Sequence, residues 1–171
     1  MQVGSFMPKS LRFDADGVIK RINGLSGYFR NNGNQVFFIQ HDGTLSNEFI
    51  PGTPEWQILP ELDKHPEDIL INKTANDCFY KSELKMQLQK LNINEVLFTG
   101  CATDFCVDST IRSAITKEYD ITVVKDGHTT ADRPYLKAEN VIAHHNWIWE
   151  NMTPVKNKIK VISFDALINS Y

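Results

Sequence analysis

Apolar residues in this chain gather in short unbroken runs, and longer stretches of helical spacing separate them. Residues 36–39 (VFFI), 68–72 (DILIN), 96–98 (VLF), 121–124 (ITVV) and 160–162 (KVI) are the runs. Continuous rather than alternating apolarity marks strands covered on both faces, as in a parallel sheet. Val18, Ile22, Leu25 and Phe29 keep a 3.6-residue period and predict a helix that Asp14 or Asp16 would cap and that ends near Asn31, before Asn32-Gly33-Asn34. Leu84, Leu88 and Leu91 predict a second helix over 82–91, and Val107, Ile111, Ala114 and Ile115 a third from Cys106 to about Tyr119. Pro134 opens a long helix over 135–151, and a short one covers 164–169. Residues 1–12, with Gly4 and Pro8, read as loop. The segment 43–66 is rich in Gly, Pro and polar residues, long enough to be a functional loop, a rim or an oligomer contact anchored by Phe49 and Trp56.

Strands alternating with helices predict an α/β fold of three layers, a Rossmann-like parallel sheet with helices on both faces, built as a single domain over residues 1–171. Such a fold binds ligands at the carboxyl ends of its strands. Gln40, Lys73, Cys106 and Asp126 all fall near such ends. An apolar fraction of 42% in 171 residues suffices for a sizeable core. The net charge of −3 and pI near 5.9 argue against nucleic acid or an anionic membrane as partner. No run approaches the roughly 20 apolar residues of a membrane span, and none resembles a leader. Three cysteines without framework spacing point to a reducing compartment, so a cytoplasmic protein is expected. Cys101 and Cys106 do not form a CxxC pair, and nothing is spaced for zinc.

The stretch 96–114, VLFTGCATDFCVDSTIRSA, reads as strand, tight turn and helix, with Cys106 at the helix start. Unpaired backbone N–H groups and the positive end of the helix dipole favour a thiolate there, against a free-cysteine pKa of roughly 8.5. Cys106 is therefore either a nucleophile or a buried structural cysteine. Lys73 is either its partner or a solvated lysine at a strand end.

The segment GCATDFCVDSTIRSA, followed by VVKDGHTTADRP, resembles the isochorismatase-like cysteine hydrolases, a family that includes nicotinamidases and related amidases. The resemblance runs through essentially the whole chain. It makes Cys106 the nucleophile of a G-x-x-T-x-x-C-V motif matched by Gly100, Thr103, Cys106 and Val107. It places a cis peptide between Ala102 and Thr103, and an oxyanion hole at the backbone N–H groups of Ala102, Thr103 and Cys106. Lys73, in INKTANDCFYKSEL with Phe79, becomes the cation that stabilises the thiolate. Candidate pocket residues are Phe6 of the Ser5-Phe6 pair, Gln40, His41, Trp56 and Phe105.

One piece of the pattern is missing. Family members carry a catalytic Asp at the end of a first strand, and by resemblance it would precede Met1, as would that strand. The expectation is a fold lacking the family's first strand and an impaired site, with Asp42, Asp77, Asp104 and Asp126 as conceivable replacements. Asp104 is read instead as a helix cap and Asp126 as structural. QHDGTLSNEF departs from the nicotinamidase metal segment, so neither a metal nor a cofactor is expected. His128, His144, His145, Trp147 and Trp149 are read chiefly as packing or contact residues. The implied activity is hydrolysis of an amide, vinyl ether or ureido bond in a small molecule, in a homo-oligomer. The alternative is an inactive scaffold of the same fold whose Trp56 loop mediates assembly.

Overall fold

The computed structural model describes residues 1–8 and 11–170. Its strands are β1 (Phe37–His41), β2 (Ile69–Lys73), β3 (Glu95–Cys101), β4 (Asp120–Thr129) and β5 (Ile159–Ile162). Its α-helices are α1 (Ala15–Asn31), α2 (Leu84–Lys90), α3 (Asp108–Thr116), α4 (Ala138–Asn151) and α5 (Phe164–Ile168). Alternate strand residues enter opposite layers, which is why the apolar runs are unbroken. Val96, Phe98, Ile121, Val123, Ile159 and Val161 pack on one face with Leu88 of α2, Ile111 of α3 and Trp149 of α4. Leu97, Val124 and Ile162 pack on the other face with Leu25 of α1 and Leu167 of α5.

Every strand pairing is parallel, as expected, but the described strands form two ladders rather than one sheet: β1 with β2, and β3 with β4 with β5. An apolar cluster joins the ladders, in which Phe38 of β1, Cys101 of β3, Met1 and Val3 meet Val18 and Ile22 of α1. His41, Lys73, Cys101 and Thr129 end their strands on the same side, so the parallel topology brings distant parts of the sequence to one edge.

Three local expectations are corrected. The apolar run 121–124 is the start of a ten-residue strand that continues through the polar Lys125-Asp126-Gly127-His128. The β3–β4 register slips there, from Phe98 opposite Val123 to Gly100 opposite His128, so β4 bulges. Gly127 is required in the bulge because a Cβ would stand 2.9 Å from the Val124 Cβ, and Gly100 takes φ +117°. Asp14 occupies the cap position of α1 but makes no cap hydrogen bond; its carboxylate turns to Arg21. Helix α4 begins at Ala138, not directly after Pro134, where Asp132 accepts the Ala138 N–H at 2.9 Å.

Candidate active site

Between β3 and α3 the chain makes a wide helical turn, Thr103–Val107, in which the N–H groups of Phe105 and Val107 both donate to the Ala102 carbonyl at 3.1 Å. A cis peptide precedes the turn, at Cys101-Ala102 and so one bond earlier than expected. Cys106 lies in this turn and is half-buried. Its carbonyl accepts the Thr110 hydroxyl at 2.6 Å, and the same hydroxyl receives the Cys78 N–H at 3.1 Å. The start of α3 is thereby tied to the segment after β2.

Lys73 ends β2 on the same sheet face as Ile71 and is only 5% exposed. Its ammonium donates to the Ala75 carbonyl at 2.7 Å and reaches the Cys106 Sγ at 3.2 Å. A buried ammonium whose remaining contacts are neutral carbonyls is stabilised by negative charge on the sulfur beside it. Asn76, which the sequence did not mark, places its Oδ1 3.6 Å from the same sulfur. Its position three residues after Lys73 was the available signal. Burial pushes the pKa of the Cys78 thiol up to about 11 and also raises that of Cys101. The backbone nitrogen of Met1 is buried within electrostatic reach of Cys101, Cys106 and Lys73.

The four candidate carboxylates are engaged elsewhere. Asp42 accepts from the Thr44 N–H at 3.0 Å and from its hydroxyl. Asp77 takes the Phe79 N–H and the Ser113 hydroxyl. Asp104 caps no helix; it receives a forked pair of bonds from Arg133 at 2.6 and 2.9 Å and a third from the Thr130 hydroxyl. Burial would raise the Asp104 pKa, but Arg133 and Thr130 outweigh it and hold the carboxyl below its ordinary range. Asp126 receives the Phe164 N–H at 2.8 Å at the start of α5, the structural role expected of it. Among the described residues, no carboxylate hydrogen-bonds to Cys106, and no three His, Cys, Asp or Glu side chains converge to hold a metal.

The pocket candidates divide. His41 lies opposite Lys73 in the ladder, with its ring edge-on to Phe49 at 6.0 Å. Burial first, then the Lys73 charge, lower its pKa, and its Nδ1 is buried without a protein partner. The Trp56 indole N–H is likewise buried and unpartnered. Phe105 is half-exposed under the Arg133 guanidinium, 4.8 Å from its ring centre. Gln40 instead points to the α1 side and donates to the Trp56 carbonyl at 2.7 Å. Phe6 is a core residue packed on α1, and the Ser5 carbonyl holds Arg12.

His128 is fully buried beside the turn, with Nδ1 2.9 Å from the Thr103 hydroxyl and Nε2 3.0 Å from the Asn146 Oδ1. Burial pulls its pKa down to about 4, far below the roughly 6.5 of an unfolded histidine. Between these values the unfolded chain binds a proton that the folded chain refuses, so stability falls as pH falls from 6.5 to 4. A loss of about 3 kcal/mol is expected over that window. Urea unfolding at several pH values checks it, and His128→Gln, which cannot titrate, should flatten the slope.

An isochorismatase domain family model matches residues 1–153. The chain is 31% identical over 108 residues to an uncharacterized isochorismatase family protein of Bacillus subtilis, covering 62% of this chain and 60% of that protein. It is 26% identical to a ureidoacrylate amidohydrolase of Caulobacter segnis, across 80% of this chain and 72% of that one. Against other curated relatives the matched stretch covers less than half their length. A crystal structure described as an isochorismatase family protein superposes with a TM-score of 0.84 at 28% identity, over 95% of this chain and 93% of that one.

Proposed function

The chain belongs to the isochorismatase family, whose members are hydrolases, and from that premise we propose that Cys106 is the nucleophile and Lys73 the cation of a small-molecule hydrolase. The observation that carries this reading is the 3.2 Å contact between a buried ammonium and the sulfur at the edge where the parallel strands end. In this mechanism the Cys106 sulfur attacks a carbonyl carbon, forming a C–S bond and placing negative charge on the carbonyl oxygen. Backbone N–H groups of the turn at Ala102, Thr103 and Cys106 hold that charge. Collapse expels the leaving amine, which takes a proton from Lys73. Water then gives a proton back to the Lys73 amine and its oxygen displaces the sulfur as thiolate. Lys73 takes the shuttle role because no described carboxylate hydrogen-bonds to the sulfur. The amide or ureido class is favoured by the named activity of the Caulobacter relative. His41, with its unpartnered ring nitrogen next to Lys73, suits a polar group on such a substrate.

The observation that every candidate carboxylate is occupied favours a second reading, a scaffold of this fold with no turnover. The purified chain is to be assayed against simple amides and ureido compounds with Cys106→Ala as the blank. Cys106-dependent turnover is expected under the first reading. A Cys106 thiol alkylated no faster than Cys78, with no turnover, would favour the scaffold.

A further inference from the structure

The Cys106 turn is gripped at both ends from one helix. Asn146 and Trp149 lie at i and i+3 of α4 and so share a face. Asn146 reaches the start of the turn through His128 to Thr103. Trp149 reaches its far side, where the indole N–H donates at 2.9 Å to Asp108, the first residue of α3. The Trp149 ring also meets the His128 ring edge-on at 5.1 Å, so the two arms brace each other. None of these side chains hydrogen-bonds to the sulfur.

The proton positions in the first arm follow from a backbone carbonyl. The Lys125 carbonyl can only accept, so the Asn146 atom 2.9 Å from it is the amide nitrogen. Asn146 therefore turns its oxygen to His128. That oxygen also only accepts, so His128 carries its hydrogen on Nε2. A neutral imidazole then has a bare Nδ1, and the Thr103 hydroxyl must donate to it. Lys125 belongs to the β4 bulge, which presents this carbonyl to α4.

We propose that Asn146, His128 and Trp149 are positioning residues, a clamp that holds the Thr103–Val107 turn so that the Cys106 sulfur stays in register with Lys73. The purpose assigned to the clamp rests on Cys106 being the nucleophile; its proton arrangement does not. Its test therefore has two arms, both on the full chain.

In the first arm, nitrogen-15 NMR of the imidazoles at pH 7 is expected to show His128 as the Nε2–H tautomer, and Asn146→Ala to move it toward Nδ1–H. In the second, iodoacetamide alkylation of Cys106 is followed by mass spectrometry of its peptide across pH. The carbonyl and amide of glutamine are spaced like the two ring nitrogens, so His128→Gln keeps an acceptor toward Thr103 and a donor toward Asn146. It should stay within about threefold of the original rate. His128→Leu, which keeps neither, should slow alkylation about tenfold or more, as should Trp149→Phe, which removes the indole N–H and trims the bicyclic ring to a phenyl. Asn146→Ala, at the solvent-facing end of the arm, serves if His128→Leu does not fold. The clamp is overturned by an Nδ1–H tautomer in the unmodified chain, or by His128→Leu and Trp149→Phe alkylating at the original rate. If Cys106 in the unmodified chain reacts no faster than Cys78, the nucleophile reading fails instead, while the tautomer still decides the clamp.

Discussion

Lys73→Met is expected to slow alkylation of Cys106, and any turnover that depends on it, by about a hundredfold without lowering the melting temperature. Two opposite charges about 4 Å apart attract by about 4 kcal/mol at an effective dielectric of ~20. Water readmitted beside the sulfur would return part of this, leaving roughly 3 kcal/mol, or about a hundredfold in rate. Methionine fills a similar volume, so the apolar packing around the stem survives. The variant also relieves the desolvation cost of holding an ammonium in a buried site. Against that, the Ala75 carbonyl loses the donor it had at 2.7 Å. The two effects are of similar size, so stability should stay within about 1 kcal/mol. Iodoacetamide kinetics and a thermal melt on the same preparation check the split. A rate within threefold of the original would remove Lys73 from the site, and a parallel loss of rate and stability would make it a structural lysine.

The sequence exposed those parts of the molecule in which local pattern and tertiary environment agree. Val96 to Phe98 and Ile121 to Val124 read as buried strands because each faces two apolar layers. Val18, Ile22 and Leu25 read as a helix because one side of α1 packs on both ladders. The parallel topology placed Lys73 and Cys106, 33 residues apart, near strand ends, but their pairing was implied by the family resemblance, since a lysine at a strand end reads equally as a solvated one. What escaped is held by long-range polar contacts that leave no period in the chain. Lys125 to His128 is strand because Asn146, Phe164 and Arg21 bind its carbonyls and carboxylate from three other elements. Asp104 has the composition of a helix cap but meets Arg133, 29 residues away, before any N–H of its own helix needs it. His128 reads from the sequence as a packing residue and is one, but its partners Thr103 and Asn146 were hidden because the β4 bulge that turns it inward leaves no local signal.

Trp149→Ala is the substitution expected to cost the most stability. Trp149 is completely buried, touching both the β3–β4–β5 face and the His128 ring. Removing a buried indole costs about 3–5 kcal/mol through lost transfer energy and the cavity left behind. For a chain of this size that corresponds to a fall in melting temperature of about 10 °C or more. The carboxylate of Asp108 would keep Arg112, at 2.8 Å on the next helical turn, but lose the indole donor on its other oxygen. The loss therefore falls on the residue that begins α3, two positions after Cys106, and a lower Cys106 alkylation rate should accompany the lower melting point. Trp147 supplies the control, being two residues away on the same helix but 62% exposed. Trp147→Ala should change stability by no more than about 0.5 kcal/mol. Differential scanning calorimetry of the two variants decides the matter: equal losses would mean that the outer face of α4 is covered by another surface, and a small loss at Trp149 would mean that the core closes over the gap.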